Sequence, residues 1–328
     1  MNNRFNLGWG SSVAIRKAFI EASLDCYITF DSEDILKMDY TDHTGDPYLI
    51  ELTREIIERQ TGIKYNHIVL THGATGGLVV ALTALRNVCS AETNVCTTPA
   101  PFFRMYPDII KNAGFNHLQT NDFTDLNPSI ILLDSPSNPL GKIHIGNIPG
   151  KHTIIFDSVY HTKSYMSKFY EPPAHDINVG SYSKMIGING IRVGWVATQD
   201  GLIYERLKEA AAAHYCGLSH PQATILRGLI SNVHWDNFEL YAQRKLDANR
   251  EEWSKLEKYF GGTAVYPVGM FFYSAADQAC RDLLDRSGVT YFGGEKLHHT
   301  KEYLRINLGQ DIELVRDAVK AILAEDKI

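Results

Sequence analysis

Two stretches, Ile130-Ile131-Leu132-Leu133 and Ile154-Ile155-Phe156, are apolar throughout instead of alternating with polar residues. A strand with one face in water alternates. A continuous apolar run is buried on both faces, as in a mainly parallel sheet covered by helices on each side. Strand and helix signals alternate around these runs. His67 to Thr71 reads as a strand and Leu78 to Leu82 as a helix. Asn94 to Thr98 reads as a strand and Tyr106 to Asn112 as a helix ended by Gly114. The expected class is therefore α/β.

Ligands of open parallel sheets bind at the carboxyl ends of the strands, so the polar residues just beyond each apolar run matter most. After Leu133 comes Asp134-Ser135-Pro136-Ser137-Asn138-Pro139-Leu140-Gly141, and after Phe156 comes Asp157-Ser158-Val159-Tyr160. A further short run, Asp176 to Gly180, leads into Ser181-Tyr182-Ser183-Lys184, then a glycine-rich turn through Gly187, Gly190, Arg192 and Gly194. The strands thus deliver an amide, a carboxylate with a phenol, and an amine with hydroxyls. Arg and Ser donors suit a phosphate, and a lysine desolvated beside them can lose its proton and attack a carbonyl. His72-Gly73-Ala74-Thr75-Gly76-Gly77, between a strand and a helix, is an arrangement that aims backbone N–H groups at an anion.

Composition excludes several other classes. With 328 residues, 44% hydrophobic and 21% charged, the chain has the make-up of a globular enzyme of two lobes. Its formal net charge is −6 and it has no dense Lys/Arg block, which argues against a nucleic-acid partner. Cys26, Cys89, Cys96, Cys216 and Cys280 are scattered without a C-x-x-C pair, so neither a metal site nor a disulfide framework is expected. No long apolar run suggests a membrane span, and a cytoplasmic location is expected.

Residues 1–10 read as an extended arm, and Ser11 or Ser12 is placed to cap a helix carrying Val13, Ile15, Ala18 and Phe19. Asp46 then Pro47 starts a helix that Gly62 ends. From about Gly201 long helical stretches run to Leu218 and from Pro221 to Phe260, with a kink near Asn232–Asn237. Short strands come next at Thr263 to Tyr266, Met270 to Ser274 and Tyr303 to Leu308, with helices near Asp277 to Ser287 and from Asp311. This α+β character predicts a smaller second domain. The expected division is 1–35 as arm and part of the small domain, 36–230 as the large domain and 231–328 as the small one.

Together these motifs resemble the fold-type I pyridoxal-phosphate enzymes, class I/II aminotransferase family, in the style of the histidinol-phosphate branch. The matching segments are Tyr40 with Gly45, Gly73 to Gly76, Pro101-Phe102-Phe103-Arg104-Met105-Tyr106, Ser135 to Gly141, Asp157 to Tyr160, Ser181 to Trp195, and Tyr303-Leu304-Arg305-Ile306-Asn307. The resemblance implies a seven-stranded, mainly parallel sheet and pyridoxal 5'-phosphate as cofactor. It implies Lys184 as the residue that forms the internal aldimine and moves the proton, Asp157 on the pyridinium nitrogen, and Tyr160 and Asn138 on the ring's 3′ oxygen. Phe103 would stack on the ring. Ala74, Thr75, Ser181, Ser183 and Arg192 would hold the phosphate, joined by Tyr40 of a neighbouring subunit in a homodimer. Arg305 would clamp the substrate α-carboxylate, with Asn138 nearby and Gly8 and Trp9 closing over it.

The chain departs from the family pattern at Phe103, where Tyr or Trp is common, at Phe292-Gly293-Gly294, where a Pro-Gly pair is common, and in a short N-terminal arm. The implied reaction moves an amino group between an α-amino acid and a 2-oxo acid in ping-pong fashion. The alternative is a lyase, decarboxylase or cyclase on the same fold. The absence of a basic patch argues against a third reading, a non-enzymatic ligand sensor. The amino-acid side chain recognised is not readable from the sequence.

Overall fold

The structure, a computed structural model, describes residues 4–23, 32–36, 38–88, 94–144, 146–261 and 268–326. In chain order the elements are β1 (Phe5–Asn6), α1 (Val13–Ala22), α2 (Ser32–Leu36), α3 (Pro47–Thr61), β2 (His67–Thr71), α4 (Gly73–Arg86), β3 (Val95–Thr98), α5 (Tyr106–Asn112), β4 (Asn116–Gln119), β5 (Ile130–Asp134), β6 (Thr153–Asp157), β7 (Ile177–Ser181), α6 (Tyr182–Met185), β8 (Gly194–Thr198), α7 (Gly201–Tyr215), α8 (His220–Ile230), α9 (Trp235–Ser254), β9 (Phe271–Ala275), α10 (Gln278–Arg286), β10 (Val289–Thr290), β11 (Phe292–Gly293), β12 (Tyr303–Asn307) and α11 (Ile312–Glu325).

Seven strands form the central sheet in the order β2-β8-β7-β6-β5-β3-β4. All its pairings are parallel except those of β8, which runs antiparallel to β2 and β7. Every residue of β5, β7 and β8 is buried, as the unbroken apolar runs require. One face packs on α4 and α7 through Leu78, Val80, Leu82, Leu85 and Leu207. The other packs on a core built from α1, α3, α8 and α9, with Ile15, Phe19, Leu49, Ile57 and Phe238. Among the described residues no helix is long and apolar enough to cross a membrane.

The α+β region toward the C-terminus is built on an antiparallel sheet, β11-β12-β9, backed by α10 and α11. Phe5 and Leu7 of the N-terminal arm are buried in this third core beside Trp253, Phe272 and Leu304. The arm is therefore not free: β1 pairs in parallel with β10, Phe5 opposite Val289 and Asn6 opposite Thr290.

Several expectations need correction. Ser12 sits at the start of α1 but makes no capping bond; its hydroxyl instead lies against Met270 Sδ at 3.5 Å and accepts from Tyr165 at 3.4 Å. Asp46 does cap α3, accepting from the Leu49 N–H at 2.7 Å, and Gly62 closes it at φ +73°. The stretch from Pro221 to Phe260 is two helices separated at 231–234, and the preceding helix stops at Tyr215, short of Leu218. Strand β4 was not foreseen: it is largely exposed and lacks an apolar pattern, and it exists through its ladder to β3. The expected strand Thr263 to Tyr266 lies outside the described residues.

A tight backbone crossing beside the site lies at Gly194. A Cβ there would meet Gly180 O at 2.5 Å, Gly73 C at 2.7 Å and Ala74 N at 2.9 Å, so β7, β8 and the start of α4 converge on it. Gly194→Ala forces backbone apart with no flexible side chain to yield. It is expected to lower the free energy of unfolding by about 1–3 kcal/mol in a urea titration. An unchanged midpoint would show that these three segments separate without cost.

Candidate active site

The carboxyl ends of β5, β6 and β7 open into one cavity of about 440 Å³. Lys184 lies on α6, directly after β7. This short helix is capped by Ser181, whose hydroxyl accepts from the Ser183 N–H at 3.1 Å and donates to the Val193 carbonyl at 3.1 Å. Lys184 Nζ donates to the carbonyl of Gly10. No described carboxylate forms an ion pair with it. Burial, then the positive charges of Arg305 and Arg192, push the Lys184 ammonium down to about 8.

Asp157 ends β6 and is buried. Its Oδ2 accepts from the Tyr106 hydroxyl at 2.8 Å and its Oδ1 from the Val159 N–H at 3.0 Å. Burial outweighs these bonds and raises the carboxyl to about 6. Asp134 ends β5 as the register partner of Asp157. Its Oδ2 accepts from the Asn138 N–H at 2.7 Å, while its buried Oδ1 has no partner. Burial, opposed by the Asn138 bond and helped by the charge on Asp157, lifts it to about 8. Tyr160 lines the same wall, edge-on to Tyr165 and Phe271, its phenol pushed up by burial.

On the opposite side α4 presents its N-terminus, and its N-cap residue His72 supplies no side-chain bond. Arg192, in the left-handed region at φ +55°, lays its guanidinium there. Nη1 donates to Ser183 Oγ at 3.2 Å and to Asn189 O at 3.1 Å, and Nη2 to His72 O at 3.5 Å. Gly73 makes this possible: a Cβ would stand 2.6 Å from Arg192 Nη2. Backbone N–H groups, a helix N-terminus, a hydroxyl and a guanidinium around one hollow are a phosphate cradle by chemistry.

Arg305, on β12, closes the third side. It is 5% exposed. Nη1 donates to Asn138 Oδ1 and Nη2 to Gly8 O, both at 2.9 Å, and its Nε is buried without a partner. The guanidinium carbon lies 4.1 Å from the Phe271 ring centroid and 4.9 Å from that of Phe292. Burial pushes Arg305 down to about 10.

Most of the residues expected from sequence meet here. Trp9, Ala74, Thr75, Phe103, Asn138, Asp157, Tyr160, Ser181, Ser183, Lys184, Arg192 and Arg305 line the cavity. Gly8 reaches it only through its carbonyl to Arg305. Tyr40 does not line it and is 89% exposed. Asp134 and Tyr106 were not assigned roles from sequence, though both lie inside quoted motifs. The signal for Asp134 was its place: like Asp157, it is the last residue of an apolar run. The histidines left unassigned stay outside the lining, and His161 is buried near the Ser135 carbonyl at 3.3 Å.

A desolvated lysine, a phosphate cradle and a carboxyl at the sheet's carboxyl edge define a protein that binds a phosphorylated aldehyde cofactor through an amine. The buried, unpartnered polar atoms of Asp134 and Arg305 and the uncapped start of α4 fit such a group. The chain matches the aminotransferase class I and II family from residue 11 to 322 and belongs to it; it is an aminotransferase whose cofactor is pyridoxal phosphate. The aspartate aminotransferase of Bacillus subtilis (strain 168) is 23% identical over 86% of this chain and 83% of its own. Tryptophan aminotransferase-related protein 1 of Oryza sativa subsp. japonica is 28% identical, but over 47% of this chain, which spans about a third (35%) of that protein's length. In fold, the aspartate aminotransferase of Rhizobium meliloti superposes with a TM-score of 0.77, covering 98% of this chain and 91% of that one at 18% identity.

In cofactor-free protein, the reaction of Lys184 with an acylating agent, followed by peptide mapping, is expected to rise with a midpoint near pH 8. Arg305→Gln removes a like charge and is expected to move that midpoint upward. A midpoint in the ordinary lysine range in the unsubstituted protein would mean that Nζ is solvated.

Proposed function

We propose that this aminotransferase transfers an amino group from an α-amino acid to a 2-oxo acid in two half-reactions, with Lys184 as the residue that carries the cofactor and moves the proton. The observation that carries this reading is Lys184 itself: partly buried, held by a carbonyl instead of a carboxylate, and pushed down to about 8, so that a minority of it is already neutral at physiological pH. Ala74, Thr75, Ser183 and Arg192 would hold the phosphate, with Ser181 fixing the turn. Asp157, steadied by Tyr106, would keep the ring nitrogen protonated. Asn138 and Tyr160 would meet the ring's 3′ oxygen, and Phe103 its face.

When bound, the cofactor supplies an electron sink for charge developing at the substrate α-carbon. The chain does the rest. Arg305 offers its fork and its free Nε to the α-carboxylate, and so turns the Cα–H bond toward Lys184. The neutral form of Lys184 Nζ would take the proton from the substrate Cα and carry it beside the bound cofactor. Gly8, held by Arg305, and Trp9, whose carbonyl accepts from the Asn307 amide, would flank the substrate on the arm side.

The test is a single-turnover experiment on the purified protein with its cofactor. An α-amino acid is expected to shift the cofactor's visible absorption to that of its amino form, and a 2-oxo acid to restore it. Lys184→Ala is expected to slow the first shift by at least about a thousandfold. Release of carbon dioxide or ammonia with the absorption unchanged would replace transamination by a lyase reaction.

The same reading includes a homodimer with shared sites. Its support is Tyr40, exposed and off the cavity, in a stretch of chain that also exposes the apolar side chains Ile35 (62%), Leu36 (84%) and Tyr48 (57%). Tyr40→Phe is expected to weaken activity and Lys184→Ala to abolish it; mixing the two proteins should raise activity above that of Tyr40→Phe alone per Tyr40→Phe subunit, since one site of each hybrid escapes both substitutions. A monomer by sedimentation, or no recovery in mixed dimers, would refute sharing.

A further inference from the structure

We propose that Arg104 is a specificity-determining residue: with Arg305 it selects substrates bearing a second anionic group at the end of the side chain. This rests on the transaminase reading above and names the substrate class of the same site.

Arg104 stands at the mouth of the cavity, one residue after Phe103. Its guanidinium carbon is 5.9 Å from the Phe292 ring centroid, and Arg305 faces that same ring at 4.9 Å. Two guanidinium groups thus share one aromatic ring, and Arg104 is among the charges that make ionisation of Arg305 less favourable. Among the described residues neither forms an ion pair with a carboxylate. The carboxyls of the cavity lining are Asp134 and Asp157, both at the strand ends and both bonded within the floor. An α-carboxylate on Arg305 relieves one of the two positive charges. A second anion on the same ligand relieves the other.

The backbone of Arg104 is fixed where this demands. The Phe102 N–H donates to Leu297 O at 3.2 Å. The His298 ring stacks on Phe102 at 4.4 Å and its Nε2 approaches Arg104 O at 3.2 Å. The side chain, in contrast, is exposed and has no hydrogen-bond partner among the described residues, so it is free to reach an incoming group. Lys296, whose ammonium lies 5.4 Å from the Phe292 centroid, adds a further positive charge from that side. The ligand chemistry is a carboxylate or a phosphate monoester on an α-amino acid side chain.

The test compares wild-type holoenzyme with R104Q and R104K. Succinate and butyrate have four carbons each and differ in one carboxylate; by titration calorimetry succinate should bind the wild type roughly 10–100-fold more tightly, the worth of one charge-assisted contact. R104Q should reduce that ratio to within about threefold, and R104K should keep part of it. In turnover, the kcat/KM ratios of glutamate to glutamine and of O-phosphoserine to serine should favour the anion, and the larger ratio tells carboxylate from phosphate. R104Q should lower that ratio about tenfold or more. Ratios unchanged in R104Q, or a wild type that binds butyrate as well as succinate, would overturn the assignment. If no amino acid alters the cofactor, the transaminase reading fails, and the succinate measurement still decides on Arg104.

Discussion

The site depends on a lysine taken out of water without a carboxylate to hold it. A carboxylate partner would favour the ammonium and fix Lys184 as a cation. The Gly10 carbonyl orients Nζ but adds no full charge, and two guanidinium groups make the proton less welcome still. Each contributor comes from a different part of the chain: Gly10 from the arm, Arg192 from the turn before β8, Arg305 from β12. The sheet can be described without Lys184, but the way the arm and β12 meet over it cannot.

The acidic side is built on the reverse principle. Asp157 and Asp134 end neighbouring parallel strands, so the ladder itself brings two carboxyls together in a buried place. Two negative charges there would repel each other in a poor solvent. The structure resolves this by unequal bonding. Asp157 receives a phenol and an N–H, whereas Asp134 receives one N–H and keeps an unpartnered oxygen. Asp157 is accordingly the better stabilised anion, and Asp134 the one that holds its proton to higher pH. The cavity is left polarised, with carboxyls at the strand ends and cations around the remaining walls.

Much of this was legible from the chain alone, for reasons that differ by residue. The unbroken apolar runs at β5 and β6 revealed burial on both faces, and the residues just past such a run in a parallel sheet face the ligand side; hence Asp157, Asn138 and Lys184 were found together. Strand β4 was hidden because an exposed edge strand has no apolar pattern and draws its stability from a ladder partner distant in sequence. The role of Tyr106 was hidden for another reason: its ring packs like a core residue, and only the fold shows that its hydroxyl ends on Asp157. The pairing of Asn138 with Arg305 spans 167 residues, which no local pattern records. The capping expectation at Ser12 failed because burial against Met270 and Tyr165 offered its hydroxyl other neighbours than the helix backbone.

The short parallel pairing of β1 with β10 bears on how the molecule is made. Residues 5 and 6 emerge from the ribosome well before their partners, Val289 and Thr290. The Gly8, Trp9 and Ser11 carbonyls likewise await the side chains of Arg305 and Asn307. Until then Phe5 and Leu7 have no core to enter, and Gly10 has no fixed place from which to meet Lys184. The large sheet is complete by residue 198, so the nascent chain carries a finished scaffold with an unclosed site until β10 and β12 have followed. Closing it is a long-range event with a high loop-closure cost. Activity is thus withheld until β12 has been made.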